Sequence, residues 1–319
     1  MRKIIAFLLI INNSLIHAQT YKNLIHKADS CYTAENYKTS VDYYEKAFKI
    51  EHTKPNDFYN AACSAALSKQ DKKAFKWLNL AIDNGYENIT HLQIDADLKS
   101  LHENKEWKNT TEKFQKKLDI LEAHYDKPLQ KELLAIYAED QDIRGEFMKI
   151  YKDKGPGNKS FDSINNLMRY KDSINLLKVI KILDEKGWVG KDIVGSQANQ
   201  TLFLVIQHAD LKYQQKYMPM MREAVKKGNA NGASLALMED RVSLREGRKQ
   251  IYGSQIGRDN ETKIFYVSSL EDPDNVDERR AKIGLPPMAD YVSKWQIKWD
   301  VEQYKKDLPA LMIKEKIKN

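Results

Sequence analysis

The sequence predicts a mostly α-helical protein in two parts: an N-terminal array of α-hairpins and a C-terminal helical domain that carries one β-hairpin. Three observations lead there. The 319 residues include only 13 glycines and 8 prolines, few of the residues that end helices. The first third of the chain matches itself at an offset of 34 residues. Apolar spacing changes from helical to alternating only between Gln250 and Ser268, and a period of two marks strand.

Composition sets the frame for these elements. Hydrophobic residues make up 42% and charged ones 30%, the balance of a soluble globular protein with enough chain for two ordinary domains. Arg2 and Lys3 precede the uncharged apolar run Ile4–Ile11, and small Ala18 follows a polar segment. That pattern predicts a cleaved export signal over residues 1–18 and a periplasmic or secreted protein. No cysteine follows the cut, so a lipid anchor is not expected, and no later apolar run has the length of a membrane span. Losing Arg2 and Lys3 would lower the formal charge from +7 to +5. Lys and Glu interleave as on a solvated helix surface, which argues against nucleic acid as a partner. Cys31 and Cys63 both fall in helical patterns. An oxidising compartment would permit a bridge, although small packing roles explain them as well.

Residues 19–114 contain the repeat. Leu24 aligns with Phe58, Ala28 with Ala62, Ser40 with Ala74, Tyr44 with Leu78, and Ala47 with Ala81. Small residues alternate with large ones, so a helix pair closes tightly and the next stacks on it. The segment from Asn36-Tyr37 to Tyr43-Tyr44-Glu45-Lys46-Ala47 resembles the second helix of a tetratricopeptide repeat, whose period is the same. The second copy departs at Asp71, where the turn tyrosine would stand. Asn84-Gly85-Tyr86 supplies a helix stop, and His91–Trp107 reads as a capping tail. Such an array implies a protein or peptide partner, or serves as a spacer; the repeat alone specifies no ligand.

A linker is expected at 115–128 and a second domain over 129–295, ending in a basic tail at 296–319. Gly155-Pro156-Gly157-Asn158-Lys159-Ser160 lacks the spacing of a phosphate loop and reads as a turn. Helical patterns cover Leu129–Tyr151 and Tyr170–Lys186, then stop at Gly187-Trp188. Leu202-Phe203-Leu204-Val205-Ile206 is apolar all round, so its helix must be enclosed. It ends in Gln207-His208-Ala209-Asp210, where exposed carbonyls would favour a charged imidazole. Ala236–Glu246 is a further helix, with Asp240-Arg241 at the edge of its apolar stripe and Gly247 as its stop. Gln250–Ile256 and Thr262–Ser268 then read as two strands joined at Gly257-Arg258-Asp259-Asn260.

These strings resemble the family catalogued as domain of unknown function 6624. The matching features are Asp140-Gln141 with Arg144, Gly187-Trp188, Gln207-His208-Ala209-Asp210, Asp240-Arg241, Gly247, and Gln250-x-Tyr252-Gly253-Ser254-Gln255. Glu271-Asp272-Pro273, Arg279-Arg280, Gly284-Leu285 and Tyr291 complete the resemblance, which covers Leu129–Trp295. Ser254 stands where threonine is expected and keeps the hydroxyl. The resemblance implies a site without an activity.

Two readings of that site stand side by side. In one, Gln207, Asp240, Arg241, Gln250, Tyr252 and Gln255 bind a small polar ligand, with His208 and Asp210 as candidate catalytic groups. There His208 would move protons and Arg241 would hold a carboxylate or phosphate. In the other, the same side chains form a buried polar network. His208-x-Asp210 lacks a second histidine, so no metal and no cofactor are expected. The functional expectation is an exported binding module, the repeat recruiting a partner and the second domain a ligand. The alternative is a non-metal hydrolase or transferase of the envelope built on His208, Asp210 and Arg241.

Overall fold

A computed structural model describes residues 20–51, 54–155, 157–259 and 261–318. The expected export signal at 1–18 lies outside them. The architecture is mostly α-helical with one two-stranded antiparallel sheet, and the chain divides into two compact units, Met1–Ala123 and His124–Asn319. No described helix is long and apolar enough to cross a membrane.

In the first unit, α1 (20–33) and α2 (Tyr37–Ala47) form one hairpin, and α3 (Pro55–Leu67) and α4 (Asp71–Asp83) a second. The offset of 34 is written into the backbone. Glu35 (φ 56°) and Lys69 (φ 60°) occupy equivalent left-handed positions at the two corners. Asn36 N–H donates to Cys31 O at 2.8 Å and Gln70 N–H to Ala65 O at 2.8 Å, the same helix-terminating bond in each copy. The corner at Asp71, where the second copy departs in sequence, therefore folds as the first does. Ala28, Ala62, Ser40, Ala74, Tyr44, Leu78, Ala47 and Ala81 are all buried, as small-large stacking requires.

Tyrosine–aspartate bonds tie the hairpins internally, to each other and to the tail. Tyr21 donates to Asp57 at 2.5 Å, Tyr44 to Asp29 at 2.5 Å and Tyr59 to Asp95 at 2.7 Å. Both cysteines are free thiols, and burial pushes the Cys63 thiol far above its ordinary value. The tail expected over His91–Trp107 is three pieces: α5 (Ile89–Ile94), a 3-10 turn (Ala96–Leu101) and the start of α6 (Lys105–Leu121). Leu92, Leu98 and Leu101 close the core. The stretch expected as a linker, 115–128, is instead mostly helix. Phe114 and Leu118 of α6 belong to the first unit's core, so that helix cannot end at residue 114.

The second unit is organised around an enclosed helix. Helices α7 (Lys127–Lys154) and α8 (Lys159–Lys186) pair with each other; α8 starts eleven residues before the pattern suggested, capped by Asn158. Short α9 (Lys191–Val194) leads into α10 (Ser196–His208), which packs on both long helices. Leu202, Phe203, Val205 and Ile206 are buried, and Thr201 Oγ1 donates to Leu133 O at 3.1 Å. α11 (Leu211–Lys226) and α12 (Gly232–Arg245) complete this layer.

The second strand falls inside the expected Thr262–Ser268, but the first lies further along than expected. β1 (Ile256–Arg258) pairs with β2 (Phe265–Val267), Ile256 opposite Val267, while 250–255 is an irregular loop joined to the stretch after β2 by a Gln250–Leu270 bridge and by the Ser268 N–H, which donates to Gln255 O at 3.2 Å. Three short helices follow: a 3-10 turn (Pro273–Asn275), α13 (Val276–Lys282) and α14 (Met288–Val292). They supply a small second core with Val267 and Leu270. The basic tail expected at 296–319 carries α15 (Val301–Lys318), whose Tyr304 hydroxyl accepts from Leu270 N–H at 2.7 Å and donates to Ser268 O at 2.9 Å.

Candidate functional site

The candidate site is built on a carboxylate in a core position. Along α7 the buried stripe runs Leu129, Leu133, Ile136, Asp140, Ile143, so Asp140 is 1% exposed among apolar neighbours. An isolated charge there would be costly. It is instead paired on three sides: His208 Nδ1 lies 3.1 Å from Oδ1, Arg144 Nη1 lies 3.3 Å from Oδ1, and Gln141 Nε2 donates to Oδ2 at 2.6 Å. Burial pushes the Asp140 carboxyl up, but the His208 hydrogen bond, with Arg144 and Gln141, outweighs it and holds the group below the usual carboxylate value.

Arg144 also fixes the imidazole. Its Nε lies 3.4 Å from His208 Nε2 and can only donate, so Nε2 accepts. The neutral ring therefore carries its proton on Nδ1, directed at Asp140, and keeps a lone pair on Nε2. Arg144 Nη2 binds both oxygens of Asp172 on α8 at 2.9 and 3.1 Å. The cluster faces a cavity of about 460 Å³ lined also by Arg169, Val205 and Asp210. The His208 side chain is 21% exposed there, so it has a route to a bound molecule. At the rim, exposed Arg169 and Asp210 have no ion-pair partner among the described residues.

Ligand atoms of Asp140, Asp172 and His208 lie within 4.8 Å of one another, close enough for a cation. Arg144 sits among them and pairs with both carboxylates, supplying the positive charge a divalent ion would bring. A second such group, Cys63, Asp95 and Asp97, is in the first unit. There Asp95 Oδ1 accepts the Asp97 N–H that opens the 3-10 turn, and the tyrosines take its other oxygen and Asp97.

Of the eight residues expected at one site, His208 and Asp210 line this cavity, and the other six do not. Gln207, Asp240, Arg241, Gln250, Tyr252 and Gln255 enter a separate polar knot that holds the 250–255 loop. Asp240 is fully buried and accepts from three backbone N–H groups: Ile251 at 2.6 Å and Tyr252 at 2.9 Å on Oδ1, Ser254 at 2.8 Å on Oδ2. Burial pushes its carboxyl above the usual carboxylate value, and these donors offset that only in part. Gln250 Nε2 donates to Gln255 O and Ser268 O, while its Oε1 accepts from Gln255 N–H at 2.8 Å. Arg279 donates to Ile251 O at 2.9 Å, Arg280 Nη1 to Tyr252 O at 2.6 Å, and Tyr291 to Ser254 O at 2.7 Å. Gly253 (φ 68°) lets the loop turn against Met288, whose sulfur would lie 2.7 Å from an added Cβ.

Arg241 meets no carboxylate among the described residues. Its Nη1 donates to Gln207 O at 2.9 Å, where Gln214 Nε2 also donates at 2.7 Å, and Arg245 Nη1 donates to Ala209 O at 3.1 Å. These are carbonyls at the negative end of α10, which the guanidinium groups neutralise. Burial, with Arg245 beside it, holds Arg241 below the usual arginine range.

Asp140, Arg144 and Asp172 carry the site and were absent from the residues expected there. A signal existed: Asp140 continues the apolar spacing of Leu133 and Ile136, and Arg144 follows at i+4. A carboxylate on the buried face of a helix needs a partner, and the arginine one turn on marks where it lies.

No curated protein and no solved structure matches the chain significantly. A family model does match over residues 127–301, more than half of the chain and nearly all of the second unit's site and knot. The chain therefore belongs to DUF6624, a family of unknown function.

Proposed function

We propose that the second unit performs acid–base chemistry, as a hydrolase or transferase of the bacterial envelope acting on a small charged substrate. The observation that carries this is the Asp140–His208 pair at a cavity: a buried carboxylate orients the ring through Nδ1 and leaves the lone pair on Nε2 of a side chain that lines the cavity. In this reading His208 takes the proton from an attacking hydroxyl or water, Asp140 stabilises the imidazolium that forms, and Arg169 draws a carboxylate or phosphate to the rim in the role first given to Arg241. The first unit, with its tetratricopeptide-like period, brings a protein or peptide partner, and the signal pattern at 1–18 supports export.

One observation favours a second reading, a ligand-binding cavity without chemistry: Arg144 Nε–H already occupies the Nε2 lone pair, at a long 3.4 Å. The test is turnover of a panel of esters, amides, phosphoesters and glycosides by wild type and His208→Asn, read beside the imidazole nitrogen resonances. Turnover reduced about 10²–10⁴-fold in the variant supports catalysis. Ligand-induced movement of the Nε2 resonance without turnover supports binding alone, and neither response overturns both readings.

A further inference from the structure

Helix α8 is apolar on two sides. Ile164, Val179, Ile182 and Leu183 are buried, and α8 packs on α7 and α10. Away from that packing, Leu167, Tyr170, Ile174 and Leu177 stand in water, 45%, 64%, 37% and 64% exposed. They follow one another by alternate steps of three and four residues, the spacing of a helix that pairs with another helix. At about 100° per residue all four fall within about 40° of one line along the helix. A lone exposed leucine is ordinary, whereas a continuous row of this kind leaves roughly 400 Å² in water, the size at which an apolar patch marks an interaction site.

The charges beyond each end of the row select the occupant. Lys159 and Asp162 lie near the start of α8, Lys181 and Glu185 near its end. All four are exposed and have no ion-pair partner among the described residues. A second copy of the helix, laid antiparallel with the two-fold axis level with Asp172, matches the first along its length. Leu167 meets the second copy's Leu177 and Tyr170 its Ile174, each contact occurring twice. Lys159 comes level with the second copy's Glu185, and Lys181 with its Ser163 beside Asp162. A parallel pair would instead set Lys159, Lys181 and Glu185 each against its like. Lys171 flanks the axis and meets its own counterpart, which weakens the pair, while Lys178 on that flank is held by Glu139 at 3.3 Å. The row supplies about half of the ~800 Å² that each partner buries in a standard interface, and the charged ends extend the contact to about 40 Å of helix.

We propose that the outer face of α8 binds a second copy of this chain, forming a two-fold dimer of antiparallel α8 helices closed by Leu167, Tyr170, Ile174 and Leu177. The test is sedimentation velocity of the full-length protein from about 1 to 300 μM, a range that brackets the tens of micromolar expected of so small an apolar contact. Wild type should pass from monomer to dimer across it. Tyr170→Glu and Leu177→Glu, at the two most exposed positions of the row, should keep the wild-type melting midpoint and weaken the dimer about 100-fold or more, because each change is felt twice. Lys159→Glu and Glu185→Lys read the direction of the helices. Each places a charge that the dipole of α8 favours, so neither harms the helix itself. Either alone sets like charges together and should weaken the dimer about three- to ten-fold, and the two combined should restore wild-type affinity. The proposal is overturned if wild type stays monomeric at about 300 μM, the face then serving a different partner, or if Leu177→Glu dimerises as wild type does. Failure of the double variant to restore affinity overturns the antiparallel pairing.

Discussion

Replacing Asp240 with alanine tests whether the 250–255 loop is held by a single carboxylate. The side chain is fully buried, and its two oxygens take three backbone N–H groups that have no other partner at that spacing. Alanine would leave all three without an acceptor. Each unpaired buried donor costs about 1–3 kcal/mol, and since the loop can open part-way to water the sum should settle at about 3–5 kcal/mol. For a unit of this size that corresponds to a melting midpoint lower by roughly 6–20 °C, at about 2–4 °C per kcal/mol. Asp240→Asn gives a sharper check. Its Oδ1 can keep Ile251 and Tyr252, but its NH₂ would face the Ser254 N–H, donor against donor. Amide hydrogen exchange should then show Ser254 losing protection in the asparagine variant and all three amides losing it in the alanine variant. If the three amides stay protected in Asp240→Ala, or its midpoint moves by less than about 1 kcal/mol would produce, the carboxylate is not what orders the loop.

Four other outcomes are expected. Asp140→Asn should cut any turnover by about 10²–10⁴-fold and mix the imidazole tautomers, seen in the ¹⁵N shifts of His208. Because the folded-state Asp140 titrates below its unfolded value, its contribution to stability is complete above about pH 4 and is lost as pH falls through the folded value; denaturant midpoints against pH should show this in wild type and not in Asp140→Asn. Gly253→Ala should cost about 1–3 kcal/mol, from its left-handed φ of 68° and the Met288 contact, measured by urea unfolding. Arg241→Ala should destabilise by about 1–3 kcal/mol, since a charge-assisted bond to a helix-end carbonyl is lost, whereas His208→Ala should cost less because Arg144 and Gln141 still hold Asp140; thermal melting of the pair ranks them.

How much of this was legible in the chain depends on what kind of signal each residue leaves. The mostly helical fold and its hairpins were legible because packing at a fixed period demands small residues at fixed places, and Ala28, Ala62, Ala47 and Ala81 supply them. The enclosed helix was legible because five consecutive apolar residues leave no polar face. Gln250–Ile256 misled because its polar-apolar alternation imitates a strand, whereas the N–H groups of Ile251, Tyr252 and Ser254 go to Asp240, more than ten residues back, a demand that no local pattern displays. The site split for a related reason. Asp140, Asp172 and His208 lie on three different helices, and spacing within one helix cannot report a contact between helices. The strings that carried the family resemblance do contain Asp140 and Arg144, but reading them in place needs the third dimension.

The two ends of α10 explain why the arginine expected at the ligand is elsewhere. A buried helix must neutralise its terminal carbonyls, and a histidine at that end is the usual candidate to do so. Here Arg241, Arg245 and Gln214 take the carbonyls of Gln207 and Ala209. His208 is thereby released from capping, and its ring turns to Asp140 on α7 instead. Arg241 serves the site at one remove: it fixes the helix end from which His208 projects, while Gln255 Oε1, at 3.5 Å from its Nε, ties it to the loop that Asp240 holds. The knot and the site are two assemblies joined at α10. A change in the knot should therefore reach His208 through the position of that helix end, and not through any group the two assemblies share.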